Sequence, residues 1–289
     1  MIIQSLSVVV PAKRCINQCE FCVACMRDEP YKNQLDENGR FYDLYINDYK
    51  KRLEFARDNG CNTALLTGNC EPQQNRSFLK TFGLLNSSLS KPFRWISMQT
   101  TGTLIDDAYL RFLRNHVGVS TISLSLASLD NEVNARIIHM ANPVDIRFLC
   151  SEIKRYDFNL RLSINLTKEI EENWQNLDDL FAYCSALGAD QITFRVLYSS
   201  ELDTVQDQWI AKNRASDSYV QRIKEYIQQH GTVLGKLAFG AVKYGIFGMS
   251  TVLDDDCMSQ TPKDEYKYLI LRPNCKLYSR WEDPASLIF

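Results

Sequence analysis

A repeated alternation of short apolar segments and amphipathic helices is the feature that most constrains the fold of this chain. Six apolar segments of four to seven residues are each followed by a stretch with helical periodicity. Strands that alternate with helices form parallel sheets, because a parallel neighbour needs a crossover connection. The pattern therefore predicts an α/β fold, either a barrel or an open doubly wound sheet. The predicted strands are Leu6–Val10, Thr63–Leu66, Trp95–Met98, Thr121–Leu126, Leu160–Leu166 and Gln191–Val196.

The pattern changes after about residue 230. Thr232–Phe239 and Phe247–Leu253 are apolar enough to form strands, and Tyr266–Leu271 with Cys275–Trp281 indicates a hairpin that turns at Pro273–Asn274. We therefore expect two parts, an α/β domain over residues 1–230 and a C-terminal β extension over residues 231–289 that packs against it.

Cysteine spacing gives the strongest chemical indication. Four of the ten cysteines lie in one short segment after the first predicted strand, and three of them, Cys15, Cys19 and Cys22, have C-x3-C-x2-C spacing; the fourth is Cys25. The chain has no secretion signal, so we expect a cytoplasmic protein whose cysteines serve as thiols or metal ligands. Three thiolates in one loop form a metal site in which one coordination position is open to a group that is not protein.

Charge and hydropathy exclude few functions. The formal net charge of -2 gives no bulk attraction to nucleic acid or to an anionic membrane. No stretch approaches the roughly 18 apolar residues that a spanning helix requires. We therefore expect no membrane association, and we do not expect nucleic acid as a partner.

Polar motifs follow several of the predicted strands. Thr67–Pro72 follows the second strand, Gln99–Gly102 follows the third, and the fourth carries Ser123 and Ser125 on one face. Parallel sheets bind ligands at the carboxyl ends of their strands. These motifs therefore predict one shared site at that end of the sheet.

The cysteine motif, with Phe21 directly before its last cysteine, resembles the cluster motif of the radical S-adenosylmethionine (SAM) enzyme superfamily. The resemblance implies a partial (β/α)6 TIM-like barrel over about residues 5–230, with the extension covering it. It also implies a [4Fe-4S] cluster held by Cys15, Cys19 and Cys22, whose open iron binds SAM. In that family the reduced cluster cleaves SAM to a 5′-deoxyadenosyl radical, which abstracts hydrogen from the substrate.

The same resemblance suggests partners and cofactor contacts. The substrate would be a small molecule, a nucleotide or a peptide, and the electron donor a flavodoxin or a ferredoxin. The turn with Gly68 and Glu71 resembles the family's Gly-Gly-Glu motif, which holds the SAM ammonium, although Asn69 and Cys70 stand where glycines are common. Further contacts to SAM or the cavity are expected from polar, cationic or adenine-facing positions: Phe21, Gln99, Ser123, Ser125, Ser163, Asn165, Arg136, Arg195 and Leu197.

Alternatives remain open at this stage. Cys15, Cys19, Cys22 and Cys25 could instead form a closed zinc site in a non-catalytic binding module. Within the resemblance, a glycyl-radical activating enzyme that acts on a partner protein is a second reading. The segment Arg27–Asp43 and the C-terminal extension are the segments expected to exclude water from the site.

Overall fold

All six predicted strands are present and pair as successive parallel neighbours in one sheet. The structure, a computed structural model, describes residues 2–26, 44–200, 202–236, 242–254, 265–281 and 283–289. The sheet is curved as a partial TIM-like barrel that does not close, which confirms the predicted α/β class. Its strands are β1 (Leu6–Val9), β2 (Thr63–Thr67), β3 (Trp95–Thr100), β4 (Thr121–Leu126), β5 (Asn159–Asn165) and β6 (Gln191–Arg195).

Helices connect these strands, and most begin at a side chain that accepts a hydrogen bond from the first turn. None of the described helices has the length and apolar character needed to cross a membrane. The helices are α1 (Ile46–Asp58), α2 (Arg76–Ser87), α3 (Asp107–Phe112), α4 (Asn131–Ile138), α5 (Ile146–Arg155), α6 (Lys168–Asn173), α7 (Leu177–Ala186), α8 (Val205–Asn213) and α9 (Asp217–His230).

The residues after α9 add strands to both edges of the same sheet. Strand β9 pairs parallel with β6, and β10 pairs parallel with β1, so eight consecutive strands run parallel. Antiparallel strands complete each edge, and a separate two-residue ladder joins Ile2–Ile3 to Glu265–Tyr266. These later strands are β7 (Thr232–Lys236), β8 (Val242–Ile246), β9 (Met249–Asp254), β10 (Leu269–Leu271) and β11 (Leu277–Tyr278). The domain boundary at residue 230 stays a prediction.

Some of the expected segments differ from the structure or lie outside the described residues. Phe247 was expected to begin a strand, but Phe247 and Gly248 have φ of 49° and 77° and form the two-residue turn between β8 and β9. The hairpin around Pro273–Asn274 is confirmed, with shorter strands. The expected covering segment at residues 27–43 lies outside the described residues, as do residues 237–239 of the first expected C-terminal strand.

The two faces of the sheet differ in character. The residues of one face, such as Leu66, Met98 and Leu162, pack against the helices in the main hydrophobic core. The opposite, inner face carries polar side chains on β3 to β6, because alternate residues of a strand point to opposite faces. The inner face is therefore the surface that a ligand inside the partial barrel would meet.

Candidate functional site

The cysteine loop between β1 and α1 is held in place by backbone and amide hydrogen bonds. The buried side chain of Asn17 donates to Thr101 Oγ1 (2.8 Å) and accepts from the Ala141 amide (3.1 Å). The amides of Gln18 and Glu20 donate to carbonyls at the end of α4. The loop is therefore fixed to two other segments at the carboxyl ends of the strands.

The turn after β2 gives the loop a second anchor. Gln74 donates from Nε2 to the Arg14 carbonyl (2.8 Å) and accepts from the Ile16 amide (2.9 Å). Asn75 Nδ2 donates to the Pro11 carbonyl (2.7 Å). Because these bonds fix the backbone on either side of Cys15, the turn and the cysteine loop form one rigid unit.

The thiols of the loop lie close enough to change one another's protonation. The Cys70 thiol donates to the Cys15 sulfur, which lowers the pKa of Cys15 to about 7 and raises the pKa of Cys70. A contact with Cys25 and burial raise the pKa of Cys22, and burial raises the pKa of Cys19 to about 12. Cys70 and Cys25, two thiols outside the predicted ligand set, are thus in contact with members of that set.

These residues fit a thiolate-held cluster. Cys15, Cys19 and Cys22 are all half-buried, and soft thiolates are the ligands that iron–sulfur clusters take. Within the described residues, no three His, Cys, Asp or Glu side chains meet the spacing of a site for a single metal ion. The fit to a cluster therefore rests on the grouping of the three predicted thiolate ligands in one anchored loop.

The predicted ammonium-binding turn is tightly built. A Cβ on Gly68 would lie 3.0 Å from the carbonyl oxygen of Val10, so glycine permits this close approach to the end of β1. Glu71 is 5% exposed, and its two carboxylate oxygens accept from Thr100 Oγ1 (2.7 Å) and from the Thr101 amide (2.8 Å). Burial raises the pKa of Glu71, and the hydrogen bonds from these threonines oppose it. Glu71 therefore braces the turn against the end of β3.

The inner face of β4 to β6 brings a second group of predicted residues together. Ser125 and Ser163 are register partners on β4 and β5. Arg195 donates from Nε to Ser163 Oγ (2.7 Å) and from Nη1 to Asp254 Oδ2 (3.0 Å). Lys267 Nζ lies 3.4 Å from the other oxygen of Asp254. Arg195 thus contacts the inner face, and it is paired with the carboxylate of Asp254, a partner that was not predicted from the sequence.

Three further predicted residues hydrogen-bond to or pack against other parts of the protein. Asn165 is 9% exposed and donates from Nδ2 to the Leu126 carbonyl (3.0 Å). The ring of Phe21 lies 5.9 Å from that of Trp209 on α8, and Leu197 packs with Met26 and the same helix. Phe21 and Leu197 therefore lie in one small hydrophobic cluster beside the cysteine loop.

Arg136 lines a cavity beside the cysteine loop. It is exposed on α4, and the cavity, of about 430 Å³, is also lined by Glu20, Glu169 and Trp209. That Arg136 contacts SAM or an acidic substrate stays a prediction.

Gln99 and Ser123 lie in one register row on the inner face. The row is two residues nearer the amino end of β4 than Ser125. Gln99 pairs with Ser123, and Ser123 pairs with Arg161. Gln99 Oε1 accepts from Thr67 Oγ1 (2.8 Å), while the Ser123 side chain is fully buried and its hydroxyl has no partner among the described residues. The structure therefore separates these two predicted residues from the group at the strand ends.

Several residues that shape the site were not predicted from the sequence. Arg161 shares the alternation of Ser163 and Asn165, so the period-two pattern on β5 could have identified it. The other residues belong to no recognisable sequence pattern. They are Asn17, Gln74, Asn75, Thr100, Asp254 and Lys267.

Comparison with known proteins gives a family. The model described as the radical SAM superfamily matches residues 9–184. That range includes the cysteine loop, the turn after β2 and strands β2 to β5. No curated protein matches the chain at a significant level.

Solved structures agree in fold. SuiB of Streptococcus suis bound to precursor peptide SuiA is 16% identical, with a TM-score of 0.61 over 96% of this chain and 59% of that chain. The protein anSMEcpe with bound AdoMet and Cp18Cys peptide is 15% identical, with a TM-score of 0.55 over 98% and 75%. Coproporphyrinogen III oxidase from Escherichia coli, a radical SAM enzyme, is 12% identical, with a TM-score of 0.55 over 94% and 63%. The chain thus spans 59% of the length of SuiB.

Proposed function

This chain belongs to the radical SAM superfamily, and on that premise we propose that it is an enzyme that cleaves SAM reductively and abstracts hydrogen from a bound substrate. The observation that carries the proposal is the anchored loop that presents Cys15, Cys19 and Cys22 at the carboxyl ends of the strands. A [4Fe-4S] cluster with SAM supplies a 5′-deoxyadenosyl radical.

The loop residues would hold the cluster in a fixed position. Hydrogen bonds from Asn17, Gln74 and Asn75 fix the backbone between Pro11 and Asn17, so the thiol of Cys15 is preorganised. Phe21, packed on Trp209, shields one side of the loop from water. Cys25 and Cys70 are not among the proposed ligands. The Cys22 thiol donates a hydrogen bond to Cys25, and the Cys70 thiol donates one to Cys15.

The strand ends would bind SAM. The Gly68–Glu71 turn offers carbonyl oxygens and a carboxylate to the methionyl ammonium, which needs acceptors. Ser125, Ser163 and Asn165 offer hydroxyl and amide groups to the ribose or the carboxylate of SAM. Leu197 lies in the apolar cluster beside the loop, where it suits contact with adenine.

Among small molecules, nucleotides and peptides, a peptide is the substrate class that we favour. SuiB and anSMEcpe, which share the fold over nearly all of this chain, were each solved with a bound peptide. We further propose a flavodoxin or ferredoxin as electron donor. A reducing cytoplasm suits both such a donor and cysteines kept as free thiols.

Anaerobic reconstitution with iron and sulfide, followed by dithionite and SAM, tests the proposal. We expect a brown protein with charge-transfer absorbance from the cluster and 5′-deoxyadenosine detected by chromatography. A Cys61→Ala variant is the matched control, because Cys61 is buried away from the loop and its loss should leave cleavage unchanged. A colourless protein with stoichiometric zinc and no 5′-deoxyadenosine would support the closed zinc site and overturn the proposal.

A further inference from the structure

We propose that Arg161, Ser123 and Gln99 form an oxyanion-binding layer inside the barrel that recognises a carboxylate or phosphate group of the substrate. Placing the substrate in the barrel rests on the proposed function. The layer itself rests on three neighbouring strands of the inner face, β3, β4 and β5, whose side chains meet in one register row.

Register places the three side chains side by side. Gln99 on β3 pairs with Ser123 on β4, and Ser123 pairs with Arg161 on β5. Neighbouring strands lie about 4.8 Å apart, so the row spans a width that one small anionic group can bridge. The row lies two residues, about 6.6 Å, nearer the amino ends than Ser125 and Ser163. It is therefore distinct from the proposed SAM contacts at the strand ends.

Each member of the row offers a donor that no described residue accepts. The Ser123 side chain is fully buried, and its hydroxyl has no hydrogen-bond partner within the part of the chain that the structure describes. Gln99 accepts the Thr67 hydroxyl on Oε1 (2.8 Å), and no hydrogen bond from its amide nitrogen is seen among the described residues. Arg161 makes one hydrogen bond within the described residues, from Nε to Gln191 Oε1 (2.8 Å), so both terminal nitrogens remain available.

Arg161 differs from its neighbour Arg195 in charge balance. Arg195 has the carboxylate of Asp254 at 3.0 Å, whereas no carboxylate of the described residues pairs with Arg161. Burial, with Arg195 nearby, lowers the pKa of Arg161 to about 10, so the guanidinium still carries its charge at neutral pH. A buried charge normally has a partner, because desolvation of an unpaired ion is unfavourable. The missing partner is an anion that the described residues do not supply.

The donor set selects an oxyanion over other ligands. The available groups at the row are an N–H₂, an O–H and a guanidinium fork, which match the oxygens of a carboxylate or a phosphate. A cation would find no free carboxylate at the row among the described residues. The row would thus fix one end of the substrate below SAM, which leaves the rest to extend toward the strand ends.

Thermal unfolding of the anaerobically purified holoenzyme, without SAM or reductant, tests this layer. The probes are acetate, inorganic phosphate and neutral acetamide at constant ionic strength. We expect acetate or phosphate to raise the wild-type midpoint by roughly 2–4 °C at tenfold excess over the dissociation constant. Acetamide should not. The stronger of the two anions identifies the group as a carboxylate or a phosphate ester.

Four variants decide whether the response belongs to the row. Arg161→Gln should lose the anion response and unfold without anion at or above the wild-type midpoint, since it removes a partly buried charge that no carboxylate of the described residues pairs with. Arg161→Lys should keep part of the response. Ser123→Ala should weaken the response without loss of stability, because its hydroxyl has no partner to lose. Arg94→Gln, which removes the same charge from an exposed arginine, should respond like wild type.

Equal anion responses in wild type, Arg161→Lys and Ser123→Ala would overturn the layer, as would the lack of any wild-type response. Stability loss in both Arg161→Gln and Ser123→Ala with an unchanged anion response would mark them as purely structural. The outcome is independent of SAM cleavage: a protein that forms no 5′-deoxyadenosine can still show the anion response, and the converse also holds.

Discussion

At the scale of single residues, the roles of Cys22 and Cys25 distinguish a closed four-cysteine site from a site open to SAM. Cys25 ends a short 3₁₀ turn, its amide donates to the Cys22 carbonyl (2.9 Å), and its side chain is exposed. A closed four-cysteine site would use both thiols, whereas a site open to SAM would use Cys22 alone.

We predict that the two cysteines respond differently to alanine. Cys22→Ala should lower iron affinity at least ~10-fold, since it removes a ligand, and abolish the cluster signal in electron paramagnetic resonance. Cys25→Ala should retain iron content, cluster signal and SAM cleavage. Loss of the cluster in Cys25→Ala would show that the fourth iron position is occupied by protein.

Residues could be predicted from the sequence where their chemistry is local. The spacing of Cys15, Cys19 and Cys22 in one loop needs no tertiary information, and the structure places that loop at the strand ends. The carboxylate partner of Arg195 could not be predicted, because Asp254 reaches it only through the parallel pairing of β9 with β6.

At the scale of elements, Asp207 controls the start of α8 and the loop that follows β6. It is buried and accepts hydrogen bonds from the hydroxyls of Ser199, Ser200 and Thr204 and from two backbone amides. Burial alone would raise the pKa of Asp207, but the hydrogen bonds outweigh it and hold the pKa below its usual range. The charged carboxylate therefore stabilises both the helix start and the loop.

Acid should reveal this contribution. Because the folded-state pKa is lower than the unfolded value of about 3.9, the stabilisation is complete above that pH and is lost as pH falls below it. We predict that Asp207→Asn unfolds at a lower temperature than wild type at pH 7 and that the difference narrows below about pH 4. Asp203→Asn, an exposed aspartate of the same loop, should follow wild type at every pH. A constant difference between Asp207→Asn and wild type would contradict the prediction.

Element positions were largely predictable, and turns were less so. The six barrel strands were placed within a few residues, because buried parallel strands and amphipathic helices have different periods. The turn at Phe247–Gly248 was missed because phenylalanine rarely adopts a positive φ, and the antiparallel pairing of β8 with β9 holds it there.

At the scale of the whole molecule, Asp254 links the two edges of the open sheet. It lies on β9 beside β6, and its carboxylate contacts both Arg195 of β6 and Lys267, which precedes β10 at the far edge. The side chains of all three are less than a third exposed. One carboxylate thus forms ion pairs with two cations that lie near opposite edges of the sheet.

We predict that Asp254→Asn destabilises the fold by about 1–3 kcal/mol, because two largely buried cations then face each other without a carboxylate. Chemical denaturation should show a lower midpoint with an unchanged slope. The control is Asp58→Asn, which breaks an exposed ion pair with Lys91 (3.6 Å) and should change stability by no more than about 0.5 kcal/mol. Equal effects of the two variants would show that the link between the edges does not contribute.

Strand order at the edges could not be predicted from the sequence. Nothing local in Leu269–Leu271 indicates that it pairs with β1, because a three-residue strand can extend either edge. The predicted hairpin was therefore correct as a local unit, while its place in the sheet depends on contacts between distant parts of the chain.

The pairing of β10 with β1 also has a consequence for how the protein is made. Leu6 and Leu269 are register partners, although they are separated by most of the chain. During synthesis at about 5–20 residues per second, β1 emerges early and one of its edges stays unpaired until β10 has followed. For that interval the strand that leads into the cysteine loop is open to pairing with another chain. If the cluster is inserted only after synthesis is complete, the strand that leads into the cysteine loop is already paired on both sides.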